Sequence, residues 1–245
     1  MIVGAEMVTR LVLLPGMHGT GELFSKFMST MPVQKHIEAL HYPADVSPSY
    51  QQLLGAVQFF VPAYDPYFLL AESFSTPLAI QFAASKPPNL KGLILCAGFA
   101  SSPLTGPGHF FASLLAPLVF HLAVPSCAIN WFLIGPNPPK SLQAAVQAAV
   151  FSVRPNVLTA RLRAVLSCDM RQALSQVAVP VLYIQATKDK LVPPSCLDEI
   201  RSIKPEVLVA EMDGPHLILQ REPEKSGAIV SQFLHLCSMA PTTEN

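Results

Sequence analysis

The sequence predicts an α/β fold: a mainly parallel open sheet with helices on both faces, interrupted after residue 99 by a helical insertion. Three observations carry this. Short, wholly apolar runs of strand length recur at residues 11–14, 67–71, 93–97 and 181–184. Helix-length stretches with apolar residues on one face separate them, which implies parallel strands joined by helical crossovers. Residues 100–170 break the alternation and contain no strand run. The expected division is therefore a core of residues 1–99 and 171–245, with residues 100–170 as a helical lid.

In chain order, residues 11–14 end at Pro15 and Gly16, and a glycine-rich turn follows: Met17, His18, Gly19, Thr20, Gly21. Residues 22–28 can start a helix, with Leu23, Phe24 and Phe27 at core spacing. No Lys-Ser or Lys-Thr follows the glycines, so the turn is not a phosphate loop. Residues 36–42 read as a second strand closed by Pro43, and 50–61 as a helix. The run 67–71 leads through Glu72 and Ser73 into a helix whose Leu78, Ala79, Ile80, Phe82 and Ala83 are apolar, broken by Pro87 and Pro88. The insertion opens with a Ser/Pro/Gly loop at 101–108. An apolar stretch continues to Trp131, a proline-rich loop spans 135–139, and helical segments lie near 142–153 and 157–166. Strands resume at 181–184 and 206–210. A helix over 223–236 follows, and 241–245 reads as a disordered tail.

Composition narrows the function. The 245 residues are 51% hydrophobic and 13% charged, enough for one domain with a large core. Sixteen basic and 16 acidic residues give zero net charge. No basic stripe marks a nucleic-acid partner. The mean hydropathy of +0.40 points to a large apolar core, an apolar binding surface, or both. Five cysteines, at 96, 127, 168, 196 and 237, show no CxxC or Cys/His metal spacing. They read as reduced thiols of a cytoplasmic protein without a metal site or cofactor. The first ten residues contain Glu6 and lack a basic segment followed by an apolar one, so no signal peptide is expected. The run 110–124 is the most membrane-like, but it carries Pro117 and His121 and is shorter than the roughly 20 apolar residues of a span. No stable membrane insertion is expected. Oligomeric state leaves no trace in the sequence.

Chemistry concentrates at three loops. A serine at the tip of a sharp strand-to-helix turn has its hydroxyl pushed clear of the backbone, and only small residues fit two positions before and after it. Ala71 and Ser75 flank Ser73 in this way. Taken alone, Ser73 reads equally as a nucleophile or as a helix N-cap. Asp189 lies just past the run 181–184, and His216 just past the last strand. In an open parallel sheet, sites form beyond the carboxyl ends of the strands. Separately, Asp189 is as well explained as a turn or capping residue, and His216 as a solvated side chain. Jointly, at three such ends, they point to a triad: the imidazole takes the serine proton and the carboxylate orients and stabilises the imidazolium. Asp213, three residues before His216, is the fallback acid; its other reading is a turn residue. Cys96 and the other thiols read as core residues.

The motifs Leu13-Leu14-Pro15-Gly16-Met17, Ala71-Glu72-Ser73-Phe74-Ser75, Lys188-Asp189-Lys190-Leu191-Val192-Pro193 and Gly214-Pro215-His216 resemble those of α/β-hydrolases, and the resemblance covers about residues 10–237. The order Ser73, Asp189, His216 is the superfamily's chain order. Residues 168–174 through Val192 and Pro193 are similar to carboxylesterases of the pimeloyl-acyl-carrier-protein methyl esterase type. The resemblance implies an oxyanion hole from the backbone N–H groups of Phe74 and Met17. Pro15-Gly16 stands where the family often has His-Gly, which leaves the second donor open, with His18 as the alternative. Phe110, Phe111, Leu114 and Trp131 of the insertion are the expected substrate contacts, although most such residues must also pack the lid on the core.

The expected activity is that of a serine carboxylesterase acting on small esters of short to medium chain through an acyl-enzyme. An esterase for acyl-carrier-protein methyl esters and a thioesterase are the alternatives within the fold. A non-catalytic ligand-binding homologue is the alternative from another class. A serine at the elbow argues against the epoxide-hydrolase and dehalogenase chemistries, which use an aspartate there.

Overall fold

The computed structural model describes residues 9–31, 36–104, 106, 120–121 and 125–239. Six strands form one sheet: β1 (Arg10–Leu14), β2 (Ile37–Ala39), β3 (Tyr67–Glu72), β4 (Leu90–Cys96), β5 (Val181–Ala186) and β6 (Leu208–Met212). Their spatial order is β2-β1-β3-β4-β5-β6, and every pairing is parallel. All six residues of β3 are buried, as are four of the five in β1. A strand covered on both faces has no solvent side, so it reads as a continuous apolar run.

The helices supply that cover. On one face lie α1 (Ser25–Thr30) and α10 (Pro223–Met239), whose Phe27, Val230 and Phe233 pack on Leu11, Phe68 and Ile94. On the other lie α2 (Tyr50–Phe60), α3 (Thr76–Ala84), α7 (Arg171–Gln176) and α8 (Ser195–Ile203), packing on Val12, Leu69 and Leu93. Helix α2 opens with a capping box: the Ser49 hydroxyl accepts from the Gln52 N–H, and the Gln52 side chain accepts from the Ser49 N–H. Where β4 ends, Gly98 lets the chain touch α3. A Cβ there would sit 2.6 Å from Thr76 Cγ2, while Thr76 Oγ1 accepts the Phe99 N–H at 3.1 Å.

The edges depart from the sequence expectation. The second strand pairs over three residues only, Ile37 to Ala39 against Leu11 to Leu13. The last strand lies two residues later than expected, because its register is set by β5, from Leu182 opposite Leu208 to Ala186 opposite Met212. It is an edge strand with Leu208 47% exposed, so burial does not mark its start. The helix expected over 22–28 is a 3-10 turn, Gly21–Phe24, followed by α1. The short helix α9 (Ile218–Arg221) was not expected.

Between β4 and α7 the described elements are helices joined by loops: α4 (Ser126–Ile129) running into a π-helical turn (Asn130–Ile134), α5 (Lys140–Phe151) and α6 (Pro155–Ser167). Ser101 and Asp169 pair in an antiparallel bridge near the two ends of this segment. It packs by two small apolar clusters, and Val165 of α6 also joins the core cluster that covers Val12, Leu69 and Leu93. In one, Ile129, Ile134 and Val146 meet Leu23 and Leu217; in the other, Val153, Val157 and Leu158 meet Met17 and Ala44. The contacts of the two small clusters lie at loops past the carboxyl ends of strands. No helix among the described residues is long and apolar enough to cross a membrane. The expected tail, residues 1–8 and most of the run 110–124 lie outside the described residues.

Candidate active site

The site begins at the turn from β3 to α3. Ser73 has φ = +51°, in the left-handed region that non-glycine residues rarely occupy. Its neighbours two positions away, Ala71 and Ser75, are fully buried, as close passage of strand and helix requires. Ser75 also has a task that a glycine there could not perform. Its hydroxyl donates to the Pro15 carbonyl, so the 2.6 Å contact with Tyr42 is a bond donated by the Tyr42 hydroxyl. The serine turn, the turn after β1 and the loop after β2 are thereby tied together inside the core.

Three strand ends converge on Ser73. His216 Nε2 lies 2.8 Å from Ser73 Oγ, and His216 Nδ1 lies 2.7 Å from Asp189 Oδ2. Asp189 Oδ1 accepts the N–H groups of Leu191 at 2.8 Å and Val192 at 3.0 Å, which hold the carboxylate in place. With Asp189 as an acceptor, Nδ1 carries the ring hydrogen and Nε2 accepts from the Ser73 hydroxyl. The loop bearing His216 is fixed on both sides: Lys188 N–H donates to the Gly214 carbonyl, and Leu217 N–H donates to Leu133 of the π-helical turn. Burial pulls the His216 pKa down, but the charge and hydrogen bond of Asp189, with a smaller contribution from Glu72, more than offset it. The net shift is upward from 6.5.

Asp213 takes no part in this chain. Its side chain is 73% exposed and pairs with Lys188 Nζ at 2.8 Å. That hydrogen bond holds its carboxyl below the usual range. The turn reading of Asp213 is therefore the one the geometry favours.

The backbone around the two expected oxyanion donors is held from several sides. In the turn after β1, Gly19 N–H donates to Gly16 and Tyr42 N–H donates to Gly19. Gly19 has φ = +77°, and a Cβ there would also meet Arg161. Arg161 Nη1 donates to the Met17 carbonyl at 2.7 Å. On the serine side, the Tyr50 hydroxyl donates to the Phe74 carbonyl at 3.0 Å, and the Tyr50 and Phe74 rings stack at 5.1 Å. His18 is engaged elsewhere: Nδ1 accepts from Thr20 N–H, and Nε2 faces Glu72 Oε2 at 3.7 Å.

Sequence reasoning missed this supporting set. Glu72 is fully buried beside Ser73 and accepts from Gln220 at 2.9 Å. Arg161 is 2% exposed, yet Val157, Arg161 and Val165 follow at helical spacing, so an arginine on the buried face of α6 was a readable signal. Tyr42 and Tyr50 carried no local signal, because their hydroxyls find partners far along the chain.

Of the expected substrate contacts, Phe110, Phe111 and Leu114 lie outside the described residues. Trp131 is 60% exposed, and the Lys190 ammonium sits over its ring, 2.8 Å from the centroid. Lys190 follows Asp189 directly, which puts Trp131 beside the loop of the site. Among the described residues, no group of three or more His, Cys, Asp or Glu is arranged to hold a metal ion. Burial pushes the thiols of Cys168 and Cys196 up to about 12, far from the reactive thiolate range.

Comparison with known proteins adds a family. A family model described as serine aminopeptidase, S33 (Hydrolase_4) matches residues 44–202, about two thirds of the chain. No curated protein matches. Among solved structures, the chain is similar to a membrane phospholipase A described as a bacterial virulence factor, at 20% identity and TM-score 0.76, covering 97% of this chain and 82% of that one. It is similar to the enol-lactonase from Burkholderia xenovorans LB400, at 14% identity and TM-score 0.78, covering 93% and 92%. It is also similar to an esterase from Exiguobacterium antarcticum, at 14% identity and TM-score 0.78, again covering 93% and 92%. At these identities the likeness is one of fold.

Proposed function

The chain belongs to the serine aminopeptidase S33 family of hydrolases and has the α/β-hydrolase fold, and from that premise we propose that it is a serine carboxylesterase acting on small esters of short to medium acyl chain. The observation that carries the reading is the unbroken hydrogen-bond chain from Ser73 through His216 to Asp189. Ser73 Oγ attacks the ester carbonyl carbon while His216 Nε2 takes its proton. The developing oxyanion is held by the N–H groups of Phe74 and Met17. His216 returns the proton to the alkoxide as the carbon–oxygen bond breaks, and the alcohol leaves. Water then repeats the sequence on the acyl-enzyme and releases the acid.

The helical segment between β4 and β5 acts as the lid in this reading, with Trp131 at its margin and Phe110, Phe111 and Leu114 within it. An apolar lining stabilises an acyl chain by roughly 0.8 kcal/mol per buried CH₂. The balanced charge of the chain supports a small free ester over an ester carried on an acidic protein. Dispersed cysteines support a reducing compartment such as the cytoplasm, and no part of the mechanism needs a cofactor.

A p-nitrophenyl ester series from acetate to palmitate tests this reading. The rate constant kcat/KM should climb by up to about tenfold over two added carbons, then fall once the pocket is full. A profile still rising at palmitate, or preference for an ester on acyl-carrier protein over the same free ester, would contradict it. The family description favours peptide-bond hydrolysis as the second reading. Aminoacyl p-nitroanilides assayed beside the esters separate the two.

A further inference from the structure

Arg161 is the least expected side chain in the molecule. It lies on α6, in the segment between β4 and β5, and is almost wholly buried. Burying a cation is costly unless it is paired. Among the described residues no carboxylate lies within ion-pair distance of it, and its Nε–H has no partner. What it has instead is a cradle of neutral groups. Nη1 donates to the Met17 carbonyl and Nη2 to the Pro43 carbonyl, each at 2.7 Å. Its Cζ lies 5.7 Å from the Tyr42 ring centroid and 6.0 Å from that of Phe74. Gly19 leaves room for it: a Cβ there would lie 2.6 Å from Nη1.

Most of these partners belong to the expected oxyanion hole or to the residues that hold it, and Pro43 directly follows one of them, Tyr42. Met17 and Phe74 carry the two expected donors. Tyr42 holds Ser75, which holds Pro15. Burial lowers the Arg161 pKa only to about 10, so the group is a full cation at neutral pH. A positive charge with no carboxylate partner among the described residues, bonded to the turn of one expected donor and near the ring of the other, is preorganised to favour the anionic intermediate.

Resting on the esterase reading above, we propose that Arg161 is a positioning residue that fixes the Met17 turn and whose uncompensated charge stabilises the oxyanion. The helical segment thereby contributes to the chemical step as well as to substrate contact. Removing one oxyanion donor outright costs on the order of 10²–10³ in kcat, so a residue acting through a donor should contribute less, about 10- to 100-fold.

The test compares wild type, Arg161→Gln and Arg161→Lys on p-nitrophenyl butyrate, with an alkyl boronic acid as the tetrahedral-anion mimic and butyric acid as the product control. Thermal unfolding defines the assay temperature for each variant. The expected result for R161Q is a kcat lower by about 10- to 100-fold, KM within about twofold, and boronic-acid affinity reduced in parallel with kcat. R161K, which keeps the charge but not the two-carbonyl grip, should recover part of both losses. The proposal is overturned if R161Q keeps its kcat, if its loss falls in KM alone, or if boronic-acid affinity stays put while kcat drops. Should R161Q not fold, R161K decides: a joint fall of about threefold or more in kcat and boronic-acid affinity supports the proposal, and wild-type values for both overturn it. A wild-type protein that neither hydrolyses the ester nor binds the boronic acid overturns the esterase reading itself, a result distinct from any defect confined to the variants.

Discussion

The sheet edge that carries Ser73, Asp189 and His216 and the helical segment packed against it are held by different physics. At the sheet edge, hydrogen bonds join Ser73, His216 and Asp189 in series, and the supporting hydroxyls of Ser75, Tyr42, Tyr50 and Thr76 all donate or accept hydrogen bonds. The helical segment instead exposes Trp131, Phe132 and Phe151. Its polar ties to the rest of the described chain include Arg161 to Met17 and Pro43, Arg154 N–H to Ala44, and Leu133 to Leu217. The contrast separates two needs. Proton transfer requires positions fixed to fractions of an ångström, while an acyl chain needs apolar surface that can adapt. Changes at the sheet edge should therefore appear in kcat, and changes in the helical segment in KM, with Arg161 as the exception.

The largest effect sharpens the first half of that contrast. Ser73→Ala should lower kcat by a factor on the order of 10⁶ while leaving the unfolding transition in place. Retention of substantial activity would break the comparison at its base. Next comes the acid. Asp189→Asn should lower kcat by about 10⁴, because the imidazole loses its orienting acceptor. Asp213→Asn, which disturbs only exposed bonds to Lys188 and Thr187, should change it by less than about twofold. The reverse ranking would reassign the acid.

The pH profile follows from the same groups. His216 must be neutral to take the serine proton, and its raised pKa keeps it protonated to a pH above the ordinary 6.5. The acid limb of kcat/KM should thus lie above that value. In Asp189→Asn the raising charge is gone while burial remains, so the limb of the residual activity should move to lower pH. A limb that stays put or moves upward would show that Asp189 does not set the His216 pKa.

Ser75→Ala is a smaller probe of the sheet edge. It leaves the Tyr42 hydroxyl and the Pro15 carbonyl unsatisfied in the core, and chemical denaturation should report a loss of about 1–3 kcal/mol. An unchanged midpoint would mean that these bonds do not tie the turns together. Smallest of all, Trp131→Ala should raise KM for the preferred ester by a few-fold, the size of one aromatic contact, and leave kcat alone. A fall in kcat instead would place Trp131 with Arg161 among the groups that act on the chemistry.

Much of this arrangement is legible in the sequence because it depends on local pattern. The buried strands β1, β3, β4 and β5 announce themselves as apolar runs, and the loops that follow them locate Ser73 and Asp189. Edge strands lose that signal: β6 has an exposed first residue, so only pairing with β5 defines where it starts. Even with its start misread, His216 still falls in the loop beyond it. The groups that lock the site are less readable, since their partners are distant in the chain. Ser75 to Pro15 spans 60 residues and Arg161 to Met17 spans 144. Glu72 sits inside the elbow motif, yet nothing local says that its side chain turns into the core toward Gln220. Arg161 was the exception that periodicity could have flagged, as a charge on an otherwise apolar helix face.

The central claim is that Ser73, activated by His216, is the nucleophile. Treating the purified protein with a fluorophosphonate and mapping the adduct by peptide mass spectrometry tests it most directly. The account predicts a single modified residue, Ser73, with labelling slowed by orders of magnitude in His216→Ala. Label on another residue, no label on folded protein, or undiminished labelling without His216 would contradict it.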